Sequence, residues 1–276
     1  MARLPASKTP AKSSTSYMPE GHTVHRTANF FNKNFSGELV TVTSPQGRFT
    51  DSVLINGSKL LSAKAVGKQL FLKFEPAFLR IHLGIYGKWQ FAESKELPEP
   101  KGAVRARFVA GSKFADLRGP TACELLTTEQ YQQVLVRLGP DPLDPKADME
   151  RFVEKVGRSA VSIGQLLMDQ SVISGIGNVY RAELLFRANL NPHTPGKQVP
   201  KEVVEAIWQD AVELMPLGVK TGFMLTREGF LKAKTKKADR YYVYKREGLG
   251  CRECGNSISI ELMATRKLYF CSACQP

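Results

Sequence analysis

The chain reads as an α+β protein of more than one domain: an N-terminal antiparallel β-sandwich with a flanking helix, then a helical domain, then a small cysteine-bearing β-hairpin. Three observations predict this order. Residues 38–117 hold short apolar or alternating runs separated by Gly, Pro, Asn and Ser, the signature of strands and tight turns. Beyond residue 148 the apolar residues recur every three or four positions, which is the spacing of amphipathic helices. Four of the five cysteines stand as two close pairs at the C-terminal end. With 276 residues in all, two moderate cores are expected rather than one, since domains cluster at roughly 100–150 residues.

The elements follow in order. Residues 1–17, MARLPASKTPAKSSTSY, carry positive charge, no negative charge and no periodicity, so a disordered basic extension is expected. From Glu20 to Phe31 the residues Val24, Ala28 and Phe31 repeat at helical spacing. Pro19 stands at the entry, where its missing N–H costs nothing, so a short helix is predicted to begin there. The runs LVTVT, SVLING, KQLFLKF and RIHLGIYGKWQF, followed by VRARFVA and KFADLR, predict the strands of the sandwich. The Pro- and Asp-dense segment LGPDPLDPKAD at 138–148 closes that region and places the first domain at 18–140. MERFVEKVG, SIGQLLMDQ, VYRAELLFRANL and KEVVEAIWQDAVELM predict the helices of a second domain, 141–245. A basic stretch, KAKTKKADR, leads into a final module at 246–276. No internal repeat is visible.

Charge and cysteine usage narrow the class of function. There are 39 Lys and Arg against 26 Asp and Glu, a formal charge of +13, which suits a polyanionic partner bound partly by release of counterions. A membrane surface would attract the same charge, but the sequence has no apolar run long enough to span a bilayer and no apolar stretch at the N-terminus. Nucleic acid is therefore the expected partner, for a monomer in a reducing compartment, cytoplasmic and nucleoid-associated. Cys123 stands alone and reads as an apolar filler rather than a nucleophile, because nothing nearby in sequence would activate it.

The most specific motif is Cys251-x2-Cys254-x16-Cys271-x2-Cys274. Four thiolates at this spacing can close a tetrahedral shell around one structural zinc ion per chain; two metal-free surface pairs are the alternative. Between the pairs, SISIELM and RKLYF alternate like strands, so the metal would clamp a hairpin bearing Arg266, which by itself reads as an ordinary exposed charge. In LLMDQSVISGIGNVYRAELL, residues 166–185, two helical patterns flank a glycine turn. Gly175 and Gly177 would let the backbone approach a ligand, and Asn178 is a natural N-cap, leaving N–H groups to hold a phosphate. A loop that merely leaves one helix and enters the next explains the same residues. Met18-Pro19-Glu20-Gly21-His22 is ordinary helix-start chemistry, but that reading leaves unexplained its position directly after a second methionine and a featureless prefix.

Taken together and in this order, from Met18 to the last residue, these motifs resemble the formamidopyrimidine-DNA glycosylase/endonuclease VIII family. The resemblance implies a DNA base-excision repair enzyme that removes oxidised bases and then cleaves the abasic site. Its N-terminal proline would be Pro19, freed by removal of Met18, with a secondary amine that attacks sugar C1′ while Glu20 protonates the opened ribose. GKQLFLKF is similar to the hairpin bearing the catalytic lysine, here Lys68, which alone reads as a surface turn residue. DQSVISGIGNVYRAELL resembles the helix-two-turn-helix, with Asn178 as its phosphate-binding Asn, and ATRKLYFCSACQ the zinc-finger tail, with Arg266 on the phosphates beside the lesion. HLGIYGKW, residues 82–89, resembles the loop that fills the gap in the stack, which makes His82, Ile85 and Tyr86 expected DNA contacts. On the residues alone, Ile85 and Tyr86 are strand-core positions. Its Tyr-Gly-x-Trp is closer to the endonuclease VIII branch, as is Asp116-Leu117-Arg118-Gly119-Pro120, which lacks the Phe wedge of the formamidopyrimidine branch; Arg118 is expected to face the orphaned base. His22-Thr23-Val24-His25 departs from the usual acidic run. Oxidised pyrimidines are the favoured lesions, and DNA carrying oxidised bases or abasic sites is the implied partner. A non-catalytic DNA-binding protein of the same fold, with Pro19 blocked by residues 1–17, is the rival reading.

Overall fold

The computed structural model describes residues 19–232 and 234–276; the disorder expected of residues 1–17 lies outside them. Helix α1 (Gly21–Asn34) buries Val24, Ala28 and Phe31, the face that the spacing predicts. It begins one residue later than expected. Glu20 is the N-cap, so Pro19 precedes the helix instead of occupying its first turn, and the backbone N–H of Glu20 donates to Thr23 Oγ1 at 3.1 Å.

Eight strands form two antiparallel four-stranded sheets. The first contains β1 (Thr41–Thr43), β5 (Lys88–Glu93), β6 (Val104–Ala110) and β7 (Lys113–Arg118) in the order β1-β6-β7-β5. The second runs in sequence through β2 (Leu60–Val66), β3 (Gln69–Phe74), β4 (Phe78–His82) and β8 (Ala122–Leu126). Alternate residues point inward from both sheets: Val42, Phe108, Ala115 and Leu117 face Ala63, Leu70, Leu72, Leu79 and Ile81 in one buried cluster. Phe31 of α1 closes one side of this core, its ring edge-on to Trp89, Phe91 and Phe108.

Two details differ from the expectation. SVLING is no strand; residues Thr50–Leu54 form a 3-10 turn, because Phe49, Ser52 and Ile55 are buried at intervals of three while Val53 and Leu54 stay exposed, and a strand, whose faces alternate every residue, would turn Ser52 to the side opposite Phe49 and Ile55. The sequence pattern also leaves out β8 and the helix α2 (Thr128–Arg137), which begins at the capping residue Thr127 and packs Tyr131 against Phe71 and Phe78 on the outer face of the second sheet. Cys123 lies on β8 opposite Ile81. It is only half-buried, and its surroundings push the thiol up to about 12, so it stays protonated and inert.

A second core is built by α3 (Met149–Gly157), α4 (Ile163–Leu166), α5 (Asn178–Arg187) and α6 (Lys201–Thr221). SIGQLLMDQ yields only the single turn of α4 before the chain enters turns at 168–176. Glu183 of α5 is buried and ties down the following segment, accepting from Thr226 Oγ1 and from the backbone N–H groups of Tyr242, Val243 and Tyr244. The C-terminal hairpin pairs β9 (Ser259–Met263) with β10 (Arg266–Phe270), as the alternation predicts, and its Tyr269 and Cys271 join this core.

Three glycines make the seam between the two cores. The Cα of Gly175 lies where an added Cβ would stand 3.5 Å from the Cα atoms of both Gly21 and Gly67, and Gly21 N donates to Gly175 O at 2.8 Å. Gly67, at φ +56, could carry no side chain in any case: its Cβ would fall 2.7 Å from Ser174 Cβ. The start of α1, the β2–β3 turn and the turn before α5 therefore touch backbone to backbone.

Candidate active site

Glu20 is the centre of that seam. The start of α1 aims its carboxylate at the N-terminus of α5, where Oε1 accepts from Val179 N at 2.8 Å and Oε2 from Gly177 N at 3.2 Å and Tyr180 N at 3.4 Å. This changes the role expected for the α5 N-terminus: its free N–H groups are engaged by a carboxylate of the same chain rather than kept for a phosphate. Such a position suits a negative charge, because unpaired N–H groups and the helix dipole both favour it. Room exists because residue 177 is glycine; a Cβ there would lie 2.5 Å from Glu20 Cδ. Burial nevertheless raises the Glu20 pKa, against the opposing pull of Lys68 and the three amides. A carboxyl group of this kind can exchange a proton.

Lys68 follows Gly67 in the β2–β3 turn and is half-buried. Burial lowers its ammonium pKa to about 8; the nearby cations Arg266 and Arg181 add to this and Glu20 opposes it. The turn is held from beneath by Asp141, whose Oδ2 accepts from Gly67 N at 2.6 Å and from His25 Nε2 at 2.8 Å, while Oδ1 accepts from Leu143 N at 2.9 Å. One buried carboxylate thus joins α1, the Lys68 turn and the interdomain segment. His22 lies on the inner side of α1, its ring edge-on to Tyr180 and against Gly218 of α6, and burial lowers its pKa to about 3, so it is neutral. The residues that stand in place of the expected acidic run therefore serve the seam: His22 packs, Thr23 receives the N-cap amide and His25 holds Asp141.

Asn178 is the first residue of α5 and Gly177 is the N-cap, without a side-chain capping bond. The expected N-cap role for Asn178 is thereby corrected: once Glu20 takes the amides, its side chain turns to the hairpin and donates from Nδ2 to Lys267 O at 2.8 Å. The same carbonyl accepts from Arg181 Nη2 at 3.0 Å, and that nitrogen also donates to Asn178 Oδ1 at 2.6 Å. Arg266 is the next residue back along β10, half-buried, following Ala264 and Thr265 at φ 46 and φ 65 in the turn. Lys68 lies within electrostatic reach of both Glu20 and Arg266, Asn178 joins them through Arg181 and the Lys267 carbonyl, and Pro19 directly precedes Glu20; Arg181, Asp141 and His25 are the members that sequence reasoning missed. Arg181 sits within a recognised motif, but a helix pattern gives no sign that an arginine points inward.

The remaining candidates lie on a neighbouring edge. His82 ends β4 half-buried, with its pKa lowered by burial and then by Arg80 and Lys68. The turn after it closes through Gly87 N to Leu83 O at 2.9 Å and carries Ile85 and Tyr86 at 47% and 85% exposure, so neither belongs to a strand core. Gly119 packs beneath the Tyr86 carbonyl. Beside it Arg118 donates to Lys101 O at 3.0 Å and Asp116 Oδ2 at 3.2 Å.

In the C-terminal module the four Sγ atoms of Cys251, Cys254, Cys271 and Cys274 lie within 4.8 Å of one another, and none forms a disulfide. Cys251 and Cys274 are 3.9 Å apart and Cys254 and Cys271 3.5 Å, close to the sulfur separation of about 3.8 Å that bonds of about 2.3 Å impose in a tetrahedral thiolate site. The donor set fits a metal ion.

Comparison with known proteins agrees with this architecture. A family model described as the formamidopyrimidine-DNA glycosylase N-terminal domain matches residues 18–123, and one described as the formamidopyrimidine-DNA glycosylase H2TH domain matches residues 138–228. Endonuclease 8 1 of Mycobacterium tuberculosis (strain ATCC 25618 / H37Rv) is 42% identical over 94% of this chain and 100% of its own length. A formamidopyrimidine-DNA glycosylase of Legionella pneumophila (strain Paris) is 27% identical over 94% of this chain and 99% of its own. Among solved structures, the MutM (Fpg) protein of Thermus thermophilus superposes with a TM-score of 0.77 at 27% identity, covering 93% of this chain and 98% of that one. The Lactococcus lactis Fpg in complex with DNA containing an abasic site shares the fold, with a TM-score of 0.78 at 22% identity over 93% of this chain and 99% of that one.

Proposed function

This chain belongs to the formamidopyrimidine-DNA glycosylase/endonuclease VIII family, and from that premise we propose that its base-excision chemistry runs through Pro19, Glu20 and Lys68 on oxidised bases, pyrimidines above all. The protein is a DNA glycosylase and abasic-site lyase of base-excision repair, acting on damaged DNA. The observation that carries the mechanism is the seating of the Glu20 carboxyl on three amides of α5, one residue from Pro19 and beside the Lys68 turn.

In this reading the Pro19 nitrogen attacks C1′ of a flipped-out nucleotide, the glycosidic bond breaks, and the base leaves. Glu20 gives its proton to the ring oxygen as the sugar opens, a transfer that its raised pKa favours. The resulting iminium withdraws electrons, the C2′ proton is removed, and the 3′ phosphate leaves; water then releases the protein from the opened sugar. Lys68, Asn178 and Arg266 hold backbone phosphates. Ile85 and Tyr86 enter the space left in the stack, with His82 and Arg118 along the same edge. No helix among the described residues is long and apolar enough to cross a bilayer.

Secondary amine chemistry requires a free Pro19 nitrogen, whereas in a chain that retains Met18 it is a tertiary amide. The active form therefore begins at Pro19, a reading supported by the family match starting at residue 18. The metal of the four-cysteine site is zinc, one per chain, held by Cys251, Cys254, Cys271 and Cys274; when bound it supplies folding energy to the hairpin that carries Arg266. The domains run 18–140, 141–245 and 246–276, and the working place is the nucleoid within the cytoplasm. Borohydride trapping on abasic DNA tests the mechanism. Protein beginning at Pro19 should be trapped through that residue, while equal trapping of protein that retains residues 1–18 would overturn it.

A further inference from the structure

Arg181 is 0% exposed, on a helix whose other inward residues are apolar or structural. One nitrogen, Nη2, donates both to Asn178 Oδ1 at 2.6 Å and to Lys267 O at 3.0 Å. Its Nε and Nη1 have no hydrogen-bond partner among the described residues. A buried guanidinium with unused donors is costly to a fold, and an apolar side chain could fill the same volume. What the arginine adds is a link: it grips the carbonyl that directly follows Arg266 and the amide of Asn178 at one point, and its charge lies close enough to Lys68 and Arg266 to act on both. Three cations and one amide then converge on a place where the nearby acid, Glu20, is already engaged by backbone amides.

We infer that Arg181 is a positioning residue for DNA binding: it locks the cysteine-held hairpin onto the N-terminus of α5, so that Arg266 and Asn178 meet the same phosphate. The inference rests on the phosphate-binding reading of those two residues. Holding Asn178 Oδ1 also orients its amide, with Nδ2 turned toward the Lys267 carbonyl. Without the guanidinium the hairpin stays folded about its metal but is free to rock on α5, and Arg266 swings with it.

Binding of duplex DNA carrying a tetrahydrofuran abasic analogue, measured across salt concentrations, tests this. Arg181→Met should bind about tenfold more weakly with unchanged metal content, and its log Kd against log salt should lose about one unit of slope, the contribution of one phosphate contact. Combined with Arg266→Ala it should cost little beyond Arg266→Ala alone, since both remove one contact. A merely structural arginine would lower Tm but leave the salt slope intact; that result, or additive losses in the double variant, overturns the inference. If Arg181→Met does not fold, Arg181→Lys keeps the charge, but its terminal nitrogen lies one bond short of the place where Nη2 meets Asn178 Oδ1 and Lys267 O, and it should bind at least about threefold more weakly; wild-type affinity in it overturns the inference equally. Failure of the unmodified protein to bind this DNA would instead overturn the phosphate-binding reading itself.

Discussion

At the scale of single residues, the site works by placing two titratable groups where burial moves their pKa values toward each other. Glu20 is raised by burial, so its charged form is disfavoured in the fold. The sign follows: below the ordinary value of 4.5 the group is protonated in both states and costs nothing, and the penalty grows as pH rises through its folded pKa. The Tm of the natural protein relative to Glu20→Gln should therefore be higher at pH 5 than at pH 8, and the same substitution should abolish base excision; a relative Tm that climbs with pH contradicts the assignment. Lys68, lowered to about 8, burdens the fold while charged, and that burden lifts as pH rises from about 8 toward 10.5. In the free protein the cation that greets a phosphate is lost as pH rises through about 8. DNA affinity should fall as pH rises through about 8, and Lys68→Arg should flatten that limb; an unchanged limb in Lys68→Arg would assign it to another group.

At the scale of elements, the turns are built for contact between backbones. Gly177 shows how little tolerance remains: its φ is ordinary, so Gly177→Ala introduces no backbone strain, only a methyl group 2.5 Å from Glu20 Cδ. It should reduce base excision by at least about a hundredfold while DNA binding survives, because the carboxyl must leave its amides but the phosphate ligands stay. Near-normal excision in Gly177→Ala would show that Glu20 works from another place. The turn with Ile85 and Tyr86 is the opposite case, with its side chains in solvent. Tyr86→Ala should leave Tm within about a degree, since an exposed ring contributes little, yet slow excision from duplex DNA about tenfold through loss of the wedge. A fall in Tm of several degrees would place the ring in the fold instead.

At the scale of the whole molecule, the charge of +13 and the two cores set the behaviour on DNA. Affinity should drop steeply with salt, as several lysines and arginines replace counterions. Removing the metal with a chelator, or Cys271→Ser, should release the hairpin and with it Arg266, so DNA binding is lost while the β-sandwich keeps its own melting transition. Elemental analysis showing no zinc in folded, active protein would exclude that arrangement. On lesions, oxidised pyrimidines should be excised faster than 8-oxoguanine, and a tenfold preference for 8-oxoguanine in duplex DNA would reverse the branch assignment without touching the family.

By itself, the sequence determined what depends on local pattern: the strand alternation from Val40 to Leu117, the inward face of α1, the helices after Met149, the hairpin between the cysteine pairs, and the cysteine spacing that brings four thiols together. Those are consequences of periods of two and 3.6 residues and of ligand spacing, and they survive without knowledge of neighbours. The 3-10 turn at Thr50–Leu54 and the single turn of α4 escaped because their shape follows from which residues the core accepts, not from propensity. Only the tertiary structure decided that Glu20 occupies the amides at the start of α5, that Asn178 and Arg181 grip the hairpin through the Lys267 carbonyl, and that Asp141 and His25 hold the Lys68 turn. Each of these links joins residues dozens of positions apart in sequence, and the amides at a helix start take whichever anion the fold delivers first; here it is a carboxylate from the far end of the same chain.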